Sequence, residues 1–375
     1  MIVGAPREIK QNEYRVAVTP GGVREFVARG HRVLIEQGAG AGSSFPDGEY
    51  AGAGAEVVGS AEEVFERAQL VLKVKEPQPG EIAMLRPGQV VFAFLHLAPD
   101  RPQTEGLVAS GAVCLAYETV ELATGELPLL APMSEVAGRM AAQVGAEHLQ
   151  RPKGGRGVLM GGVPGVLPAT VAVLGAGVVG ANAAHVAMGM GAHVVVLDID
   201  IDKLRRLDEM WGSRVRTLYS KRHTVEQAVL SADLVIGAVL VPGARAPTLV
   251  TRDMLPRMKP GAVVVDVAID QGGCVETSRP TTHAEPTFLL EGIVHYAVSN
   301  MPGAMPNTST LALTNATLRY ALAIADKGWR RALAEDPALA KGANVLGGKV
   351  VSRPVAEAHG MGYVPLERAL AEEAG

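Results

Sequence analysis

Cysteine is nearly missing from this sequence. Cys114 and Cys274 are the only two, neither lies in a Cys-x-x-Cys, and a pair of thiols cannot build a disulfide framework or a four-ligand zinc cluster. A reducing compartment, the cytoplasm, is expected. Charge of one sign is missing too: 35 Lys plus Arg face 39 Asp plus Glu, a net charge of -4 with no run of five like charges. There is no basic footprint for nucleic acid or an anionic membrane, and neither partner is expected. Aromatic residues reach only 4%, which leaves a core to be built from Val, Leu and Ala. The opening Met1 to Lys10 carries Arg7, Glu8 and Lys10 before any apolar run and so lacks the apolar region of a signal peptide. One uncharged stretch, Val171 to Leu197, has the length of a membrane span. Gly175, Gly177, Gly180, Gly189 and Gly191, with Asn182, His185 and His193, interrupt it, and strand, turn, helix and strand fit better. No Gly-x-Ser-x-Gly or P-loop occurs. His31, His148, His185, His223, His283, His295 and His359 show no metal-ligand spacing, so no metal is expected.

What is present is glycine, at 44 residues, and a hydrophobic share of 48% over 375 residues, a globular composition with room for two or three domains. From about Thr170 to Val298 short β-branched runs alternate with helical patterns, the signature of βαβ units. The runs are Val171 to Leu174, His193 to Leu197, Asp233 to Val239, Ala262 to Val267 and Val294 to Val298. Such apolar strands are buried on both faces by helices. The region before it repeats the rhythm, with strands near Arg32 to Glu36, Leu70 to Val74, Val90 to Phe94 and Ala112 to Ala116. The fold class is therefore α/β, with two Rossmann-like doubly wound domains. Ser134 can cap a helix running to about Leu149, and Asn307, Thr308 or Ser309 another running to about Leu333. These helices bracket the middle domain, so residues 129–306 are expected as a dinucleotide-binding domain inserted into a discontinuous one made of 1–128 and 307–375. Val345 to Ser352 and Tyr363 to Leu366 are expected as irregular pieces of the latter. No internal repeat is evident.

Gly175-Ala176-Gly177-Val178-Val179-Gly180 fits Gly-x-Gly-x-x-Gly, follows an expected strand and opens an expected helix. The first glycine permits a sharp turn, the second removes a Cβ that would strike a pyrophosphate, and the third lets helix and strand approach. Asp198 ends the next strand, where an acid binds the adenosine ribose hydroxyls and repels a 2'-phosphate, favouring NAD over NADP. Ligands in such sheets bind outside the carboxyl ends of the strands, which directs attention to Gly237 to Pro242, Asp266 to Gly273 and Val298 to Gly303. Asp270 is either a titrating carboxylate at a strand mouth or an aspartate capping its own loop. His96, after the apolar run Val91 to Leu95, is either a proton-exchanging group or a satisfied core histidine. Lys75 either serves the site or reaches solvent. Arg15 either clamps a carboxylate or forms a surface ion pair with Glu8 or Glu13. Glu118 and Glu121 read as solvated carboxylates rather than metal ligands.

Taken together these strings resemble the alanine dehydrogenase family over essentially the whole chain. They are Pro6-Arg7-Glu8 through Arg15 to Pro20, Lys73 to Pro77, His96-Leu97-Ala98, Pro132 to Arg139 and Met160 to Val166. The glycine turn, Val267 to Gly273 and Asn300 to Pro306 complete the set. A related group, the soluble nucleotide domain of proton-pumping transhydrogenase, shares the N-terminal and dinucleotide patterns. The resemblance implies reversible oxidative deamination of L-alanine by NAD to pyruvate and ammonium, with Arg15, Lys75 and Asn300 binding substrate and His96 and Asp270 as the acid/base pair. It places cofactor contacts on Ser134, Gly175, Gly177, Val178, Val179, Gly180, Asp198, Ser220, Val239, Leu240, Val267, Ala268, Ile269, Asp270, Arg279, Val298, Ser299, Asn300 and Met301. It also implies a homo-oligomer, a hexamer.

Overall fold

The computed structural model describes residues 1–239 and 246–372. Two compact units emerge, Met1–Met133 together with the chain from Met305 onward, and Ser134–Ala304. The first six strands are β1 (Ile2–Ala5), β2 (Arg32–Glu36), β3 (Glu56–Val58), β4 (Leu70–Leu72), β5 (Val90–Ala93) and β6 (Val113–Ala116). They are all parallel, in the order β3-β2-β1-β4-β5-β6. The inserted unit adds β7 (Thr170–Leu174), β8 (His193–Asp198), β9 (Val215–Tyr219), β10 (Leu234–Gly237), β11 (Val263–Asp266), β12 (Thr287–Leu290) and β13 (Ile293–Tyr296). Its order is β9-β8-β7-β10-β11-β13-β12, with only β12 antiparallel. The chain then returns, and β14 (Ala343–Leu346) and β15 (Lys349–Val350) extend the first sheet beyond β6 as an antiparallel pair.

Both sheets share one logic. Strands such as β4, β5, β10 and β11 are buried at every position, as parallel strands covered by helices on both faces must be. In each the winding reverses direction beside the first strand, between β1 and β4 and again between β7 and β10. Such a reversal opens a crevice at the carboxyl ends of the strands, where ligands bind. The core is aliphatic, with Leu174, Val229, Val235, Val264 and Met254 in the inserted unit and Val71, Val91, Leu95, Leu107 and Val345 in the other.

Several local expectations are corrected. The first bracketing helix is Ala131–His148, so Ser134 lies within its first turn instead of capping it. The second is Pro306–Lys327, with Pro306 at its first position and no side-chain cap; Asn307, Thr308 and Ser309 lie inside that turn. Proline has no N–H to leave unsatisfied and is already set for helix, which makes a polar cap dispensable. This helix stops at Gly328, whose φ of 76° ends the regular spiral, and a separate helix, Trp329–Glu335, follows. Val345 to Ser352 holds the end of β14 and all of β15, because burial of Val345 and Val350 outweighs the Gly347-Gly348 turn between them. No helix among the described residues is long and apolar enough to cross a membrane.

Candidate active site

The dinucleotide motif occupies the turn between β7 and the helix Val178–Gly189, and its three glycines meet three different surroundings. Gly175 has a φ of 109°, and a Cβ there would stand 2.5 Å from the carbonyl oxygen of Ala238. At Gly180 a Cβ would stand 1.8 Å from the oxygen of Gly175, so strand and helix could not close. At Gly177 a Cβ would meet nothing within 4 Å. The space before Gly177 is therefore open. No side chain caps the helix that begins there, and its free first-turn N–H groups suit a pyrophosphate.

Asp198 ends β8 beside this turn. Its Oδ2 accepts the Ala176 N–H at 2.6 Å and its Oδ1 the Asp200 N–H at 2.9 Å, so the acid both faces the crevice and ties the glycine turn to the neighbouring strand. Ser220, the first residue after β9, donates its N–H to the Asp198 carbonyl at 2.9 Å. Val239 follows β10 and is half-buried, whereas Leu240 lies outside the described residues. Val267, Ala268, Ile269 and Asp270 form a 3-10 turn directly after β11, and Val298 to Met301 follow β13. The structure thus gathers Gly175 to Gly180, Asp198, Ser220, Val239, Val267 to Asp270 and Val298 to Met301 at one edge of one sheet. Ser134 sits one turn before Gly138 in a helix pressed so close that a Cβ at Gly138 would lie 2.2 Å from the Val179 carbonyl oxygen. Arg279 lies over the Phe288 ring, 4.6 Å from its centroid, and Phe288 stacks on His295.

Asp270 is exposed, and its Oδ2 accepts the Asn300 N–H at a long 3.4 Å. Asn300 has a φ of 57°, a left-handed conformation that asparagine tolerates better than most residues. Under the turn, Asp266 is buried and accepts the N–H groups of Cys274 and Val275, each at 3.1 Å through Oδ2. Burial pushes its proton affinity above the ordinary carboxylate value.

The carboxyl edge of the first sheet is crowded with charge. Lys73 is fully buried between Glu8 and Glu81, at 3.1 and 2.7 Å. Arg15, 2% exposed, is gripped by both oxygens of Glu13, and its Nη1 lies 2.8 Å from the Met133 sulfur. Burial alone would raise the Glu13 carboxyl, but the Arg15 hydrogen bonds hold it below the ordinary range. The expected alternative of a surface ion pair for Arg15 is corrected: Glu13 is its partner, but the pair is buried. Lys75 is different: it is half-buried with no hydrogen bond or ion pair among the described residues. Burial, together with the nearby Arg15 charge, pushes its proton affinity down.

His96 stands at the exit of β5 with a φ of 49°. Its N–H is fixed by Glu118 Oε1 at 2.6 Å, and Glu118 also accepts the Leu95 N–H. The ring stacks on Phe94, with centroids 5.8 Å apart, and Nδ1 faces Glu76 Oε2 at 3.5 Å. A second Glu76 oxygen takes Lys10. Burial opposes ionisation of Glu76, but His96 and Lys10 pull its carboxyl down to about 2. The side chain of His96 is 44% exposed, which rules out the reading as a satisfied core histidine. Glu76, Glu118 and Asp266 were not singled out from sequence for these contacts, since each partner is a charge or backbone group reached only after folding. No group of three His, Cys, Asp or Glu among the described residues is arranged to hold a metal ion. A cavity of about 480 Å³ in this unit, lined by Thr19, Phe26, Phe45, Leu72, Thr317 and Leu318 among others, includes none of Arg15, Lys75 and His96.

The same sequence pattern and fold are found in known proteins. Residues 4–137 match the family described as alanine dehydrogenase/PNT, N-terminal domain, and residues 141–353 match its C-terminal domain. An alanine dehydrogenase from Mycolicibacterium smegmatis is 60% identical over 357 residues, 95% of this chain and 96% of that one. A solved L-alanine dehydrogenase superposes with a TM-score of 0.93 at 51% identity, covering 96% of this chain and 99% of its own. A transhydrogenase structure from Sinorhizobium meliloti gives 0.81 at 28% identity, covering 94% and 99%. With both domain patterns matched in order and the fold reproduced along nearly its whole length, the chain belongs to the alanine dehydrogenase/PNT family.

Proposed function

We propose that the chain catalyses the reversible oxidative deamination of L-alanine by NAD, giving pyruvate, ammonium and NADH. The observation that carries this reading is the pairing of cations at the carboxyl edge of the first sheet. Lys73 is taken by two glutamates, while Lys75, two residues on, is left unpaired where burial disfavours its charge. An uncompensated, desolvated cation is costly in the free protein, and a small carboxylate is the partner that would relieve it. The sequence relatives named above, alanine dehydrogenases by name, support the same substrate.

In this reading residues 1–128 and 307–375 act on the substrate and residues 129–306 hold NAD. The open space at Gly177 and the uncapped helix behind it fit the pyrophosphate, with Gly175, Gly180, Val178 and Val179 shaping the turn. Asp198 and Ser220 face the adenosine ribose. Ser134, Val239, Leu240, Val267, Ala268, Ile269, Arg279, Val298, Ser299 and Met301 are the remaining contacts. When bound, the nicotinamide takes up a hydrogen with its electron pair from the substrate Cα. Lys75 and Arg15 hold the substrate carboxylate, a task for which Arg15 is kept in plane by Glu13. His96 takes a proton from the amino group so that nitrogen can share its lone pair with Cα, and Asp270 serves as the second acid/base group when water adds and ammonia leaves. Asn300 orients the substrate from the loop that Asp270 braces. We further propose that the chain works as a homo-oligomer, a hexamer, in the cytoplasm. Exposed apolar side chains at Leu159, Val163, Val166 and Leu167 support the first, and two cysteines standing as buried free thiols the second.

The test is NADH absorbance on mixing the protein with NAD and L-alanine, and its reversal by pyruvate with ammonium. His96→Ala is expected to lower turnover at least about a hundredfold, the usual contribution of a general acid/base group, with NADH still bound. Near-normal turnover in that variant would overturn the assignment.

A further inference from the structure

The pairing of His96 with Glu76 goes beyond the acid/base role already proposed for His96 and rests on that role. We propose that Glu76 is a positioning residue that fixes His96 with its proton on Nδ1, so that Nε2 is presented to the substrate as the proton-accepting atom.

Four observations converge on this. Glu76 Oε2 is buried with no hydrogen-bond partner among the described residues, and its closest ionic neighbour is His96 Nδ1 at 3.5 Å. A buried carboxylate oxygen left without a donor is rare, and a short approach by the ring would satisfy it. The imidazole cannot drift far, since its backbone N–H is held by Glu118 at 2.6 Å and its face lies on Phe94. Finally, a neutral imidazole carries one proton, and a carboxylate at one nitrogen selects the tautomer that leaves the other nitrogen basic.

The charged groups around the ring are few. Glu76 comes from the segment after β4, Lys10 from the segment after β1 reaches the far oxygen of Glu76, and Glu118 from the turn after β6 faces the backbone of His96. Glu76 stays ionised throughout the working pH range, because Lys10 and His96 hold its carboxyl down to about 2 against burial. It therefore stabilises the imidazolium formed when Nε2 accepts the substrate proton. Lys10 draws on the same carboxylate, so it tempers that effect.

The two charges give opposite signs when removed, which a merely structural role would not. The readout is the pH midpoint of His96 carbethoxylation by diethyl pyrocarbonate, followed on its own peptide by mass spectrometry, because only the neutral ring reacts. In Glu76→Gln the midpoint is expected to fall, and in Lys10→Met to rise. Turnover of L-alanine in Glu76→Gln is expected to fall at least about tenfold with NADH affinity unchanged, and Glu76→Asp, which keeps the charge, to recover part of both. Midpoints that do not move, or that move the same way in both variants, would overturn the proposal, as would full turnover in Glu76→Gln. Should Glu76→Gln not fold, Lys10→Met alone judges the pairing: a midpoint that does not rise in that variant would overturn it. Retained turnover in His96→Ala would sink the catalytic reading, whereas the modification midpoints judge the pairing by themselves.

Discussion

Lys75 shows how a single side chain can serve function at the expense of the fold. Lys73 and Arg15 each have buried carboxylates, but Lys75 has none. Lys75→Met is therefore expected to leave the melting temperature unchanged or raised, since it removes an uncompensated charge and keeps the aliphatic stem. Its kcat/KM for L-alanine is expected to fall about 10- to 100-fold, the value of a charged hydrogen bond. Thermal melts beside steady-state kinetics check both halves. The carboxylates give a pH prediction. Glu76, at about 2 when folded against an ordinary 4.5, and Glu13, also lowered, bind fewer protons folded than unfolded. Their contribution is present above about pH 5 and lost as pH falls toward 2. Melting temperature should decline over that window, and less steeply in Glu76→Gln. His96 and Lys75 could be picked out from sequence because strand exits are where such sheets bind ligands, and Arg15 because a guanidinium can clamp a carboxylate. Glu76 could not be assigned its contact, since nothing local distinguishes a glutamate facing a histidine across a strand from one facing water.

At the scale of elements, the glycine turn separates steric from ligand constraints. Gly180→Ala forces a Cβ against the Gly175 carbonyl and is expected to destabilise the protein by about 1–3 kcal/mol, as overpacking does. Gly177→Ala meets no atom of the chain, so its melt should match the parent while NAD affinity falls. Calorimetric titration with NAD beside denaturant melts tells them apart; equal NAD affinity in Gly177→Ala would move the pyrophosphate elsewhere. Most inner strands were legible in sequence as β-branched runs, and β2 was found end to end, but β1, which lies between β2 and β4, was not picked out. Edges were missed too: β9 is buried only at Val215 and half-buried at Thr217, too weak an alternation to read, and β14 and β15 are short strands set by tertiary pairing, β14 with β6 and β15 with β14. Helix starts went astray for a related reason. Polar residues at Ser134 and Asn307 looked like caps, but they sit within turns whose register is fixed by close packing, at Gly138 against Val179 in one case and by Pro306 in the other.

At the scale of the molecule, both sheets share the order of their first five strands although no repeat is visible in the sequence. The topology constrains where the chain reverses, not which apolar residues fill it, so Val, Leu and Ala interchange freely beneath an unchanged plan. Leu159, Val163, Val166 and Leu167, of which Leu167 is 80% exposed, offer apolar side chains close in sequence that a neighbouring subunit could cover. Sedimentation is expected to show a species several times the 39.1 kDa of the chain, and Val166→Glu with Leu167→Glu to shift it toward smaller ones. A wild-type chain sedimenting as a monomer would remove the oligomer from the account.

The return of the chain to its first sheet also sets a schedule for biosynthesis. β6 is made early, but its outer edge is covered only by β14, through Ala343 opposite Leu115 and Val345 opposite Cys114. A ribosome adding roughly 5–20 residues per second leaves that edge open for ~10–45 s, while the whole inserted unit emerges and folds. During that interval the nascent chain carries an apolar strand paired on one side only, with β5, and such an open edge is prone to pairing with another chain. Ribosomes that stall or terminate before Ala343 would release a polypeptide with a finished nucleotide-binding unit and an unfinished sheet beside it, a product for proteases and chaperones to clear.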